Sequence, residues 1–417
     1  MRSISLLCLV LAGIVVSAGA RAFPADPAQP EAAARNGLTQ TDPESVGLVA
    51  SQLNHIDEAI AASIQAGEIP GAVVLVARHG RIAYFKAFGN RSVKPAQEAM
   101  TTDTIFDMAS MTKVMATAPS IMLLAERGVL RLDDKVKRYL PNFTGGGKDG
   151  ITLLNLLTHY SGLPPDFELS KQWSGYAEAL EELWKINTAS EPGKTFVYSD
   201  LNYITLGEVV RAVSGKSLDA FALENIFVPL DMTDTGFHPP ASLVPRIAPT
   251  ETRRNTLKYL NGQASLPSLD KMLRGEVHDP TAWRMGGVAG HAGIFSSARD
   301  LAIFSQMFLD HGTYPGGRIL SPASIEAMTS PQSPANASDI RGYGWDLESI
   351  YSSPRGDIFK TGFGHTGFTG TSLWIHPQSD SFVILLTNRV HPDGGKDINH
   401  LRGAVANVVA ASIADIQ

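Results

Sequence analysis

The sequence predicts an α+β fold in which an antiparallel sheet, flanked by helices, is joined to an all-helical lobe. Strand-like runs occur near both ends of the chain, the middle is mostly helical, and no internal repeat interrupts this order. The chain has 417 residues, of which 44% are hydrophobic and 18% charged, which suits a large buried core. We expect one bilobed unit over 45–415, with an α/β lobe at about 45–125 and 285–415 and a helical lobe at about 126–284.

The individual elements follow from hydrophobic spacing and turn residues. A hairpin is expected where the runs 71–78 and 81–88 meet at His79-Gly80. A buried helix is expected over 111–125, a segment in which Lys113 is the only charged residue. The other helices are predicted at 49–66, 152–158, 176–184, 203–214, 218–226, from a Ser297 cap onward, and from about residue 396; later strands are predicted at 372–375 and 382–387.

The first 22 residues have the pattern of a secretory signal peptide. Arg2 precedes an apolar run over 4–16, and A-x-A patterns follow between residues 18 and 22. An uncleaved anchor is the alternative, but the run is short for a bilayer. Residues 23–44 are expected to be a linker. We therefore predict a periplasmic or secreted protein without a stable membrane span after cleavage; its oligomeric state is not predicted.

Composition excludes several classes of protein. The net charge of −6, without basic blocks, argues against nucleic acid as a partner. One cysteine excludes a disulfide scaffold, and scattered histidines without an H-E-x-x-H pattern predict no metal site. The G-x-G-x-x-G match at 362–367 precedes a strand-like run rather than a helix, so no dinucleotide or other cofactor is predicted.

Two S-x-x-K patterns are present, and their contexts differ. Ser110 opens the apolar helix, where Lys113 lies on the same helical face and is partly desolvated. Such a lysine can accept or relay the proton of a serine nucleophile. Ser268 and Lys271 lie in a polar, irregular stretch, where an ordinary solvated lysine is expected. Ser110 is therefore the candidate nucleophile.

A second motif, Tyr198-Ser199-Asp200, follows Pro192-Gly193-Lys194. A tyrosine near a lysine can act as a general base, although a single tyrosine is more often structural.

A third motif, His365-Thr366-Gly367, leads into Phe368 and has the small residues of an edge strand with free N–H groups for an oxyanion. Lys360-Thr361-Gly362 offers a competing register. We prefer His365, because 366–375 reads as one continuous strand whereas Phe363-Gly364 reads as a turn.

In this order, the three motifs resemble those of the serine β-lactamase and penicillin-binding protein superfamily, in its class C branch, over about residues 45–415. Supporting stretches are Phe106-Asp107-Met108-Ala109-Ser110, residues 156–164 and residues 198–203. The stretches Val277-His278-Asp279 and 287–293, which contains His291, look like a subgroup of low-molecular-weight penicillin-binding-type hydrolases. We assign these two histidines no catalytic role and expect them to lie in the core or next to the site.

The resemblance implies a β-lactamase/transpeptidase-like fold with the site between the two lobes, and it implies functional roles. Ser110 would be acylated, with Lys113 and Tyr198 as its bases and Tyr198 later activating water. Ser110 and Phe368 would supply the oxyanion N–H groups. Substrate contacts would come from Asp200, His365, Thr366, Gly367 and Phe368.

Two residues depart from the family pattern. Asp200 replaces an asparagine, so a hydrogen-bond donor is lost. His365 replaces a lysine, so a fixed positive charge is lost at neutral pH. Both changes favour esterase or peptidase activity on a small-molecule or peptidoglycan-like substrate. A β-lactamase, a D-Ala-D-Ala carboxypeptidase and a non-catalytic cell-wall-binding protein remain the alternatives.

Overall fold

The computed structural model describes residues 38–171, 173–257 and 267–415. The expected signal peptide, and the expected linker up to residue 37, lie outside the described residues. Within the described ranges, no helix is both long enough and apolar enough to cross a membrane.

Most strands form one largely antiparallel sheet, in the order β1-β3-β2-β14-β13-β12-β11-β10. The sheet combines strands from both ends of the chain, because β2 pairs with β14. The strands are β1 (Thr39–Gln40), β2 (Gly71–Arg78), β3 (Arg81–Ser92), β4 (Glu98–Ala99), β5 (Ile105–Asp107), β6 (Gly236–Phe237), β7 (Ile294–Ser297), β8 (Thr313–Tyr314), β9 (Gly317–Arg318), β10 (Ile340–Arg341), β11 (Asp346–Glu348), β12 (Phe363–Thr366), β13 (Thr371–His376) and β14 (Ser381–Thr387).

Helices pack on both faces of the sheet and are the main regular elements in the middle of the chain. They are α1 (Ala50–Leu53), α2 (His55–Gln65), α3 (Ala118–Glu126), α4 (Leu153–Leu157), α5 (Tyr176–Lys185), α6 (Asp200–Ser214), α7 (Leu218–Ala222), α8 (Arg253–Thr256), α9 (Pro280–Arg284), α10 (Ala298–Leu309), α11 (Pro322–Thr329) and α12 (Asn399–Ser412). The predicted α+β class, with an antiparallel sheet between helices, is confirmed.

Strand β2 shows how the sheet acquires a core on each face. All eight of its residues are buried. Successive side chains point to opposite faces of a strand, so Val73 and Leu75 join the larger core with α3 and α10, whereas Val74 and Val76 join a second core with α2 and α12. At the predicted hairpin turn, His79 and Gly80 have φ values of 52° and 69°, as a two-residue turn between twisted strands requires.

The predicted helix over 111–125 is not a regular α-helix at its start. Residues Ala109–Met111 form a 3₁₀ turn and Lys113–Thr117 a π-helical turn, before α3 begins. Pro119 is the second residue of α3, which directly follows the π-helical turn; proline has no N–H to donate, so an altered hydrogen-bonding pattern is expected next to it. The irregular turns therefore coincide with the S-x-x-K motif, in keeping with the frequent occurrence of π turns at functional sites.

A small second sheet, in the order β5-β7-β6, positions this segment. Strand β5 leads directly into Ser110 and pairs antiparallel with β7, so that Asp107 lies opposite Phe295. The pairing continues beyond β5, where Met108 N–H donates to the Ile294 carbonyl at 2.9 Å. As a result, the glycine-rich stretch that precedes β7 lies beside the candidate nucleophile.

Candidate active site

Ser110 and Lys113 are in hydrogen-bond contact at the start of the irregular helix. Lys113 Nζ lies 3.0 Å from Ser110 Oγ. Ser110 is half-buried and Lys113 fully buried. Ala109, just before the nucleophile, has a φ of 46°, a left-handed conformation that is strained for a residue with a Cβ. Strain of this kind is typical of functional sites, and here it presents the Ser110 hydroxyl to Lys113.

The Lys113 ammonium is held by further contacts. Asp200 Oδ1 lies 2.6 Å from Nζ, and the His291 carbonyl oxygen lies at 3.3 Å. Nζ also lies 4.8 Å from the centre of the Tyr198 ring. Burial alone would lower the pKa of Lys113, but the charge of Asp200 and a smaller contribution from Tyr198 outweigh burial and raise this pKa. Lys113 is therefore protonated at neutral pH.

The Tyr198 ring is positioned by stacking. His159 stacks on it with centroids 4.4 Å apart and an interplanar angle of 26°, and Tyr351 approaches to 4.9 Å. His159 is fully buried, and its Nδ1 accepts the Ser199 N–H at 3.0 Å. Burial first, and then the positive charges of Arg341 and Lys113, hold the pKa of His159 well below its usual value. The sequence motifs assigned no role to His159 or Tyr351.

His365, not Lys360, is the third-motif residue at the site. Its ring centroid lies 6.1 Å from that of Tyr198. Lys360 is exposed and donates instead to the Asp357 carbonyl at 2.6 Å. His365 Nδ1 lies 2.8 Å from the Thr366 carbonyl oxygen, and burial, followed by the charges of Arg341 and Lys113, holds its pKa well below the usual value. A neutral ring supplies no positive charge for a substrate carboxylate.

Three expectations about this motif were wrong. Residues 366–375 are not one strand, because β12 ends at Thr366 and a turn precedes β13. Residues Phe363-Gly364, expected to form a turn, belong to β12. Nor is β12 an edge strand, since β11 pairs with it through Asp346 opposite Gly364. The local signal that the sequence argument missed is the pair Gly367 and Gly370, because glycine inside a strand-like run often marks a turn.

The turn between β12 and β13 packs directly against the nucleophile segment. A Cβ on Gly367 would lie 2.5 Å from the Met108 carbonyl oxygen and 2.1 Å from Thr371 Oγ1, so only glycine fits there. Thr369 Oγ1 donates to the Asp107 carbonyl at 2.7 Å. Phe368 follows Gly367 with its side chain 59% exposed. These contacts bring the two segments that carry the expected oxyanion donors together.

A largely buried group of charged residues lies beside Asp200, and the sequence argument did not assemble it. His291 Nε2 lies 2.8 Å from Asp279 Oδ1, and ligand atoms of Asp200, Asp279 and His291 lie within 4.8 Å of one another. Such a group could hold a metal ion; here the Lys113 ammonium contacts Asp200 and the His291 ring contacts Asp279. Burial opposes a charge on His291, but Asp279 and Asp200 outweigh burial and raise its pKa. Burial, Asp200 and Asp279 together raise the pKa of Asp166 to about 7.

A cavity of about 260 Å³ lies alongside the third motif. Its lining includes Thr366, Phe368, Arg389 and Arg402. Arg402 Nη2 donates to the Gly367 carbonyl at 2.9 Å, and burial, with the nearby charge of Arg389, lowers the pKa of Arg402 to about 10. Positive charge is therefore present next to the motif even though His365 is neutral. Neither arginine belongs to a motif, so no local signal could have identified it.

Comparisons with known proteins agree with this fold. The family model described as Beta-lactamase matches residues 56–407, and the chain belongs to that family. It is 34% identical over 373 residues to an N-acetylmuramyl-L-alanine amidase of Bacillus subtilis (84% of this chain, 83% of the relative). It is 32% identical over 382 residues to a protein of Escherichia coli O157:H7 provisionally named a D-alanyl-D-alanine carboxypeptidase (85% and 86%).

A solved class C β-lactamase of Rhodobacter sphaeroides has the same fold, with a TM-score of 0.65 and 23% identity over 86% of this chain and 99% of that one. The resemblance to the β-lactamase and penicillin-binding protein superfamily, stated above from the motifs, is confirmed.

Proposed function

We propose that the protein is an exported serine hydrolase that forms an acyl-enzyme on Ser110 and cleaves esters or D-amino-acid peptide or amide bonds. The observation that carries this proposal is the 3.0 Å contact between Ser110 Oγ and the fully buried Lys113 Nζ, beside Tyr198. In this proposal the site lies between an α/β lobe (45–125 and 285–415) and a helical lobe (126–284), which supply Lys113 and Tyr198 respectively.

The chemistry proposed is acyl transfer in two steps. Ser110 Oγ attacks the substrate carbonyl carbon and its proton passes to the Lys113–Tyr198 pair, which returns it to the leaving group. Because Lys113 is protonated beside Asp200, the serine proton goes to Tyr198, whose phenol must be ionised to accept it. The N–H groups of Ser110 and Phe368 stabilise the oxyanion. Water, activated by Tyr198, then releases the acyl group.

The substrate class follows from charge. Asp200 disfavours an anionic group close to Lys113, so short neutral esters and uncharged acyl groups suit this part of the site. The cavity beside Thr366 is lined by Arg389 and Arg402 and by one carboxylate, that of Asp397. Its net positive charge suits a substrate carboxylate. That cavity favours, as second candidate, a carboxypeptidase acting on D-amino-acid termini. The names of the Bacillus and Escherichia relatives support a peptidoglycan-like amide for this chain.

A non-catalytic, penicillin-recognising role is the rival from another class. A binding protein needs no lysine in contact with the serine hydroxyl. Burying a lysine costs free energy, and a binding role alone gives no reason for that cost. The Ser110–Lys113 contact therefore favours an enzyme.

Labelling and turnover test the proposal. We expect a fluorophosphonate to modify Ser110, and Ser110→Ala to lose both labelling and hydrolysis, by about 10⁶-fold in rate, with an unchanged melting temperature. Ser268→Ala is the matched control and should behave as the parent protein. A parent-like Ser110→Ala together with an inactive Ser268→Ala would contradict the choice of nucleophile. A panel of p-nitrophenyl esters, nitrocefin and D-Ala-D-Ala peptides ranks the substrates.

Export is part of the proposal, supported by the signal-like pattern of the first 22 residues. Expression of the full chain in a Gram-negative host, followed by fractionation and N-terminal sequencing, tests it. We expect periplasmic or secreted protein that begins near residue 23. Protein that retains Met1 in the cytoplasm would refute export.

A further inference from the structure

The exposed Phe368 ring is held by two polar side chains. His278 stacks on it, with centroids 5.7 Å apart and an interplanar angle of 26°. The Arg389 guanidinium lies 4.7 Å from the ring centroid, and Arg389 Nε donates to the Phe368 carbonyl at 2.7 Å. A ring that is 59% exposed gains little from burial. The position of residue 368 is therefore fixed by these contacts rather than by packing in the core.

The backbone of His278 is linked to the nucleophile segment through one carboxylate. His278 N–H donates to Asp107 Oδ2 at 2.7 Å, and Ala109 N–H donates to Asp107 Oδ1 at 2.9 Å. Asp107 is buried, and its backbone carbonyl accepts the Thr369 hydroxyl. The same carboxylate thus joins His278 to the strained residue that precedes Ser110.

The ring of His278 is oriented by contacts that do not involve Phe368. His278 Nε2 lies 2.7 Å from Glu251 Oε1, and both side chains are less than one tenth exposed. Arg253 donates to the carbonyl oxygens of Val277 and His278. His278 therefore presents a fixed aromatic face to the turn between β12 and β13.

We propose that His278 is a positioning residue for the oxyanion hole. It holds Phe368 against the segment that contains Ser110. The inference rests on the proposed function, in which the N–H groups of Ser110 and Phe368 bind the oxyanion. Such donors act only when they are preorganised around the developing charge. Through Asp107 and Phe368, His278 contacts both donor-bearing segments and sets the distance between them, although it touches no reacting atom.

A double-mutant cycle tests this role, with His278→Gln and Phe368→Leu as the single variants. Glutamine keeps a hydrogen-bonding group for Glu251 but removes the aromatic face, and leucine keeps the N–H of residue 368 but removes the ring. We measure kcat and KM for a short p-nitrophenyl ester. We also measure the inhibition constant of phenylboronic acid, whose adduct with Ser110 places an oxygen in the oxyanion hole.

We expect each single variant to lower kcat by about 10- to 100-fold and to weaken the boronic acid by a similar factor, with KM changed by less than about threefold. The double variant should lose no more than the more impaired single variant, because both changes remove one contact. Phe368→Tyr, which keeps an aromatic face, should recover most of the loss seen with leucine. His55→Gln, in an exposed pair with Glu58, is the control and should match the parent.

Unchanged kcat and boronic acid affinity in Phe368→Leu would overturn the proposal, and this result is decisive even where His278→Gln fails to fold. Losses that multiply in the double variant would also overturn it, because they would show that His278 acts independently of Phe368. Failure of the proposed function looks different: the parent protein itself would then not be labelled at Ser110. A labelled, active parent with a parent-like His278→Gln would refute this inference alone.

Discussion

Replacing Asp200 by asparagine tests the charge balance at the base. The substitution removes a negative charge 2.6 Å from a fully buried ammonium, while an asparagine keeps the shape. It also keeps the backbone hydrogen bond from residue 200 to the Pro165 carbonyl, at 2.7 Å, which anchors the start of α6. The new side-chain amide would in addition restore a donor for a substrate carbonyl. The change therefore removes the charge of Asp200 and keeps the backbone contact that orders the loop.

The magnitude follows from the geometry of the pair. An opposite charge within about 4–6 Å typically shifts a pKa by about 1–3 units, and each unit corresponds to about 1.36 kcal/mol. Asp200 raises the pKa of Lys113, so its removal lowers that pKa. A larger fraction of Lys113 is then neutral at any given pH, so Lys113 can share the role of base with Tyr198. The acidic limb of the kcat/KM profile should move to lower pH by about 1–3 units.

The same pair contributes to stability, and the sign can be worked out. Because the folded pKa of Lys113 is raised, the contribution is fully present below the unfolded pKa of about 10.4 and is lost as pH rises through the folded value. Asp200→Asn therefore lowers the melting temperature at neutral pH. Breaking a buried ion pair costs up to about 3–5 kcal/mol, so activity is measured at a temperature where the variant is folded.

The assay compares pH profiles and substrate preference. We expect the parent protein to hydrolyse short neutral p-nitrophenyl esters with a higher kcat/KM than anionic nitrocefin, and Asp200→Asn to narrow that difference. Asp393→Asn breaks an exposed ion pair with Lys94 and is the control, with no change expected. An Asp200→Asn enzyme with the parent pH profile and preference would refute this reasoning and leave Asp200 as a residue that only orders the loop.

Three further results are expected. Lys113→Ala and Tyr198→Phe should each lower kcat by orders of magnitude, and the double variant should lose little more, since both act on one proton transfer; multiplied losses in the rate assay would show independent roles. His365→Ala should reduce kcat/KM strongly and Lys360→Ala weakly, because only His365 approaches Tyr198; the reverse ranking would move the motif to Lys360. Gly367→Ala should abolish activity and lower the melting temperature, because its Cβ would overlap Thr371 Oγ1 and the Met108 carbonyl oxygen; a parent-like variant would show that the turn can move away.

Local patterns explain which elements could be predicted from the sequence. The helix cap at Ser297 was expected from its spacing to Asp300, and the structure shows its side chain accepting the Asp300 N–H. The hairpin at His79-Gly80 follows from two residues that tolerate positive φ. Both features depend on residues close in the chain. By contrast, the limits of β12 depend on its pairing with β13, which alternation alone does not encode.

The sequence by itself identified the side chains that carry the proposed chemistry. Ser110 and Lys113 are three residues apart, and the 3₁₀ and π-helical turns that hold them bring their side chains into contact. Only the tertiary structure decided how strong a base the lysine is. Asp200 lies 87 positions farther along the chain and Asp279 a further 79, yet both lie in one largely buried group. Charge interactions depend on distance and burial in space, and neither quantity can be read from spacing along the chain.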